Sequence, residues 1–203
     1  MKKIKNYGEA ENIYVVFEGI DGSGKTTIAK KLHEEIEGSL LVKEPHTVYI
    51  KNAIEVIKQI EPKYEESILS CLFAADRLVL LEKIQRHRGM VISDRSKFSS
   101  FAYQEYLGYN YEVNMCMKNP DVIIYLDISP EIAEERYEGY DKFEDKQFLE
   151  IVRRNYQTEI MRIAIDERIK WFEVDASRDF DVVYNEVKNI IDKEVNYGRT
   201  NAN

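Results

Sequence analysis

The run Val15-Val16-Phe17-Glu18-Gly19-Ile20-Asp21-Gly22-Ser23-Gly24-Lys25-Thr26-Thr27 holds the residues best suited to chemistry. Gly19 to Thr26 fits Gly-x-x-x-x-Gly-Lys-Ser/Thr at every fixed position. Glycines at Gly19, Gly22 and Gly24 let backbone N–H groups curl around a phosphate with no side chain in the way. Ile20, Asp21, Ser23 and Thr27 complete that cradle. A helix starting near Lys25 points its positive end at the same phosphate. Lys25 would reach the outer phosphates of a nucleoside triphosphate, and the Thr26 hydroxyl would ligate Mg²⁺.

A carboxylate opposite Thr26 would complete the metal site. Met90-Val91-Ile92-Ser93-Asp94 supplies one, four mostly apolar residues followed by an acid at a strand end. Arg95 follows at once. Its planar fork suits a fixed guanidinium between two phosphates.

These groups work together only if the elements before them end in one place. Residues 12–18 form an apolar run, as in a parallel strand covered on both faces. Residues 25–37 are expected as a helix with Ile28, Leu32 and Ile36 on one face, stopped by Gly38. A short strand over 40–43 leads into the loop Glu44-Pro45-His46-Thr47. Ile50, Ala53, Ile54 and Ile57 mark a helix closed by Pro62. Residues 64–86 form a long helix with apolar positions on more than one face, either central or half of a subunit interface. Strands follow at 90–94, 122–126 and 171–174, with helices at 97–107, 113–117, 148–168 and 180–195. Ser129 can cap a further helix with Pro130 at its first position. Residues 138–145 are short and charged and are expected as a mobile lid; residues 196–203 are expected as a disordered tail. Strands alternating with helices call for a five-stranded parallel sheet, helices on both faces and right-handed crossovers: an α/β fold. Its ligands belong at the C-terminal strand ends, where Lys25, Pro45, Asp94 and Ser129 all follow.

Bulk composition fits this picture. A chain of 203 residues suits one domain, with its core at about 12–195. The net charge of −8 argues against a nucleic-acid surface but leaves room for a locally basic anion site. Cys71 and Cys116 are expected as buried thiols. Neither a signal peptide nor a bilayer-length apolar run is evident, so no membrane and a cytoplasmic setting are expected.

Four segments together resemble the thymidylate kinase family of nucleoside monophosphate kinases. They are the phosphate loop; Leu72-Phe73-Ala74-Ala75-Asp76-Arg77; Asp94-Arg95 with Ser99-Ser100 and Ala102-Tyr103-Gln104; and Pro120-Asp121-Val122 through Leu126-Asp127, with Asp141-Lys142-Phe143-Glu144 beyond. The resemblance implies a P-loop NTPase fold, ATP and Mg²⁺ as cofactors, dTMP as acceptor and a homodimer. It implies that Phe73 stacks on the pyrimidine and that Arg77, one turn on, bonds the base edge. Ser99, Ser100 and Tyr103 would line the base pocket, with Gln104 nearby. Asp21 would contact the acceptor's sugar hydroxyl, Lys43 would hold its phosphate, and Arg95 would bridge the two phosphates. Thr26 and Asp94 would hold the metal, and Ala176 and Ser177 resemble the loop bordering adenine. This chain departs from the family at Ser96, at His46-Thr47, and in having no arginine in the phosphate loop or in 138–145. Lys142 is the first candidate for the missing cation and Arg136, which would also meet ATP, the second. Asp94-Arg95-Ser96 also resembles the motif of deoxynucleoside kinases, where the acid deprotonates a sugar hydroxyl. A deoxynucleoside kinase, another pyrimidine monophosphate kinase and a nucleotide-binding regulator without turnover are therefore the alternatives.

Overall fold

The computed structural model describes residues 12–103, 114, 117–136 and 145–200. Five strands, β1 (Ile13–Glu18), β2 (Leu40–Lys43), β3 (Met90–Asp94), β4 (Val122–Asp127) and β5 (Lys170–Asp175), form one sheet in the order β2-β3-β1-β4-β5. All four pairings are parallel. The helices are α1 (Lys25–Glu35), α2 (Val48–Ile60), α3 (Glu65–Arg86), α4 (Lys97–Tyr103), α5 (Pro130–Glu135), α6 (Lys146–Asn155), α7 (Met161–Asp166) and α8 (Phe180–Thr200).

Strand periodicity explains why β1 shows no polar alternation. Val15 and Phe17 point to one face, where they pack with Ile28 and Leu32 of α1 and with Val183 and Val187 of α8. Tyr14 and Val16 point to the other, against Leu80 and Ile84 of α3. On that same side of the sheet, Ile123 and Tyr125 of β4 meet α4, α6 and α7. Each of these buried aliphatic or aromatic side chains contributes roughly 1.5–3 kcal/mol. Glu18 closes the strand and is fully buried, so it must find polar partners inside the protein.

Ser129 caps α5 with Pro130 at its first position, as the sequence predicts. Three expectations need correction. The helix over 148–168 is broken into α6, a π-helical turn (Tyr156–Ile160) and α7. The final helix continues to Thr200, into the stretch expected to be a tail. Cys71 is exposed on α3, because the buried face of that helix carries Ala74, Arg77, Leu80 and Ile84 instead. Gln104, Cys116, Lys142 and almost all of the expected lid lie outside the described residues.

Candidate active site

The turn between β1 and α1 is possible only with glycine at two places. A Cβ on Gly19 would stand 2.6 Å from the Leu126 carbonyl oxygen, and one on Gly22 would stand 2.7 Å from that of Ala133. Gly24 precedes α1 with a left-handed backbone, and no side chain caps the helix. Its first N–H groups are therefore available to an anion. Lys25 is buried in the curl of the loop. Its Nζ donates to the carbonyls of Gly19 at 2.9 Å and Ile20 at 2.7 Å, and to Ser23 Oγ at 3.3 Å. Burial, then the charge of Arg95, brings its pKa down to about 8.

The strand register sets Lys43 beside Asp94 and Asp94 beside Phe17, so three strand ends meet. Thr26 Oγ1 donates to Asp94 Oδ2. Lys43 Nζ sits 3.0 Å from Thr26 Oγ1 and 3.3 Å from Asp94 Oδ2. A hydroxyl and a carboxylate in contact are hard oxygen donors. That pair fits Mg²⁺, which takes few protein ligands and draws the rest from phosphate and water.

Arg95 has φ of 77°, in the left-handed region that costs a residue bearing a Cβ energy. Its backbone is held on both sides, by N–H donation to the Phe17 carbonyl at 3.0 Å and by Ser93 Oγ donating to its own carbonyl at 2.6 Å. That conformation sends the guanidinium back over the phosphate loop. There it pairs with Asp21, donates to Ser99 Oγ at 3.0 Å and to Tyr103 Oη at 3.3 Å, and stacks over the Tyr103 ring. Burial alone would raise the Asp21 carboxyl, but Arg95, Lys25 and Lys43 outweigh it and hold the group at about 2.

Phe73 is half-buried on α3, so its ring is not wholly consumed by the core. Arg77, the expected base-edge donor, is drawn into the interior. It is 4% exposed, pairs with Glu44 through Nε and Nη2, and donates to Asn114 Oδ1, the Ser96 carbonyl and Ser100 Oγ. Asp76 accepts from the backbone N–H groups of His46 and Thr47 and so ties the loop after β2 to α3. Ser99, expected along the base pocket, spends its hydroxyl on Glu18 and Arg95.

From the phosphate loop an open crevice of about 570 Å³ runs past Thr27 to Ala176, Ser177, Arg178 and Phe180. Arg136 lines it too, donating to the carbonyls of Ala176 at 2.7 Å and Ser177 at 3.0 Å. The sequence reading brings Lys25, Thr26, Lys43, Asp94 and Arg95 correctly to one place. It misses Glu18, Glu44, Tyr156 and Arg178. A charge ending a fully covered apolar strand is the signal that marks Glu18; Tyr156 and Arg178 carry none.

Comparison with known proteins agrees with this geometry. The sequence model of the thymidylate kinase family matches residues 17–187. A protein of Methanosphaera stadtmanae described as a probable thymidylate kinase is 36% identical over 196 residues, covering 89% of this chain and 98% of its own. Another so described, from Methanothermobacter thermautotrophicus, is 34% identical over 188 residues, covering 88% of this chain and 94% of its own. The solved thymidylate kinase of Candida albicans shares the fold, with a TM-score of 0.74 at 22% identity over 91% of this chain and 93% of that one. Phosphate loop, strand-end carboxylate and a family match across most of the chain agree, and the chain belongs to the thymidylate kinase family.

Proposed function

We propose that this site transfers the γ-phosphoryl group of ATP to dTMP, giving ADP and dTDP. The observation that carries the reading is the meeting of Lys25, the Thr26–Asp94 pair and Arg95 at neighbouring strand ends. Such transfer needs positioning and charge neutralisation more than covalent chemistry. The acceptor phosphate is already an anion, so no strong base is required. Lys25 and the backbone N–H groups of the loop would hold the donor phosphates. Arg95 would lie between donor and acceptor, with Lys43 on the acceptor phosphate and Asp21 toward its sugar. Thr26 and Asp94 would hold Mg²⁺, which supplies further neutralisation when bound. Phe73 would stack on the pyrimidine, and Arg77, anchored by Glu44, would face the base edge with Ser100. Lys142 or Arg136 would supply the remaining cation. The protein would work in the cytoplasm as a homodimer.

The deoxynucleoside kinase alternative requires a carboxylate aimed at a sugar hydroxyl. Asp94 instead accepts from Thr26 and neighbours Lys43, which supports the nucleotide reading. ADP formation from ATP and Mg²⁺, with dTMP, dUMP or thymidine as acceptor, tests the proposal. Turnover is expected with dTMP and is expected to fall by more than about tenfold (~1.4 kcal/mol) in Lys25→Ala. Turnover with thymidine alone, or none at all, overturns it.

A further inference from the structure

Glu18 is a buried charge that the reaction as described does not use. It lies one residue before the phosphate loop, is fully buried, and accepts three hydroxyl hydrogen bonds. Ser96 Oγ donates to Oε1 at 2.7 Å; Ser99 Oγ and Tyr156 Oη donate to Oε2 at 2.6 and 2.8 Å. The three donors come from different places: Ser96 from the turn after Arg95, Ser99 from α4, and Tyr156 from the π-helical turn.

Counting protons makes this arrangement directional. A serine hydroxyl has one proton and two lone pairs. Ser99 gives its proton to Glu18, so only lone pairs remain toward Arg95. Arg95 Nη1 donates to that oxygen at 3.0 Å. An ionised acid behind Ser99 thus dictates that Ser99 faces the guanidinium as an acceptor. Ser96 plays a parallel part, because its oxygen also accepts from the Phe98 N–H at 3.3 Å in the first turn of α4. The π-helical turn has its own place in this set. It delivers Tyr156, stacked on Tyr125 with centroids 5.1 Å apart, to the same carboxylate oxygen.

We propose that Glu18 is a positioning residue that fixes the Arg95 guanidinium through Ser99 and the first turn of α4 through Ser96, so that the donor loop and the acceptor-side helix keep one relative placement during transfer. Glu18 touches no phosphate; it acts through residues that do. The backbone of Arg95 stands in an unfavourable region, so its side chain needs such outside support to hold one direction. Burial pushes the Glu18 carboxyl upward, opposed by the Ser99 and Ser96 hydroxyls and the Arg95 charge, so the network also supplies the contacts that favour its ionised form.

The inference rests on Arg95 serving phosphoryl transfer, and the test separates the two. Steady-state kinetics with ATP and dTMP are measured for Arg95→Ala, Glu18→Gln, Ser99→Ala and Glu18→Gln/Ser99→Ala, with folding checked by circular dichroism. Glu18→Gln keeps the shape and removes the charge. Its kcat is expected to fall about tenfold or more (~1.4 kcal/mol) with both KM values little changed. The double variant is expected to be no slower than the slower single variant, because one chain of contacts carries both effects. A Glu18→Gln enzyme within threefold of wild-type kcat, or losses that multiply in the double variant, overturns the inference. If Glu18→Gln does not fold, Ser99→Ala decides alone: a tenfold loss of kcat with the ATP KM unchanged supports it, and wild-type kcat overturns it. Arg95→Ala with wild-type activity would overturn the role of Arg95 itself.

Discussion

Phe73 has a ring that the core does not wholly absorb, one helical turn before an arginine that the core does absorb. That contrast assigns them different work. Arg77 is locked by Glu44, while Phe73, in the proposed reading, would offer its ring to a base. Stacking on a base contributes roughly 1–3 kcal/mol. Phe73→Ala is therefore expected to raise the dTMP KM about tenfold and leave the ATP KM near its original value. Steady-state titration of each substrate checks this; equal rises in both would return Phe73 to a packing role. Lys25, Thr26 and Asp94 were legible in the sequence because their chemistry is local: fixed spacing, or an acid ending an apolar run. The Glu44–Arg77 pair was not, since its partners lie 33 residues apart and meet only when β2 and α3 pack. Glu18 ends an apolar run too, but its hydrogen-bond network was not legible, with donors 78, 81 and 138 residues away.

Elements matter to this site mainly through their ends. The C-termini of β1, β2 and β3 present Glu18, Lys43 and Asp94 in adjacent register, and the crossovers bring α1 and α4 over them. The far end of the crevice is held differently, by Arg136 at the close of α5 donating to two carbonyls of the loop between β5 and α8. Arg136 is thus a clip between the segment leading to residues 137–144 and the loop that resembles an adenine border. One of those bonds is part-buried and the other exposed, so their contribution should be modest, ~1 kcal/mol. Arg136→Ala is expected to raise the ATP KM about fivefold with little effect on kcat or the dTMP KM. A fall in kcat at unchanged ATP KM would instead make Arg136 the cation of the transfer step. Alternation of strands and helices made the element order readable along the chain. The π-helical turn was not readable, because no proline or glycine marks it; Tyr156 takes its place through a tertiary contact with Glu18.

At the scale of the molecule, the two faces of the sheet are covered, yet α2 and α3 keep apolar side chains in water. Val56 and Ile60 on α2, Tyr64 between the helices, and Leu78 and Val79 on α3 are each at least half exposed. The buried side of α3 is accounted for by Ala74, Leu80 and Ile84. The long helix therefore shows apolar character on more than one side, as its sequence indicated, and only one side is buried among the described residues. Among the described residues no helix is long and apolar enough to cross a membrane. In the proposed homodimer a second copy of the same helix would cover that face, since an isologous contact pairs each exposed patch with itself and closes at two. The same helix carries Phe73 and Arg77, so assembly would also stiffen the proposed acceptor side. Sedimentation at micromolar concentration is expected to give a species of twice 23.9 kDa. Leu78→Glu with Val79→Glu is expected to shift it to the single-chain mass, because burying two unpaired carboxylates across such an interface costs several kcal/mol. The dTMP KM should rise in that variant more than the ATP KM, since α3 carries Phe73 and Arg77, the proposed acceptor residues. A wild-type protein that sediments only as one chain, or a double-glutamate variant that stays paired, would show that this face has another purpose.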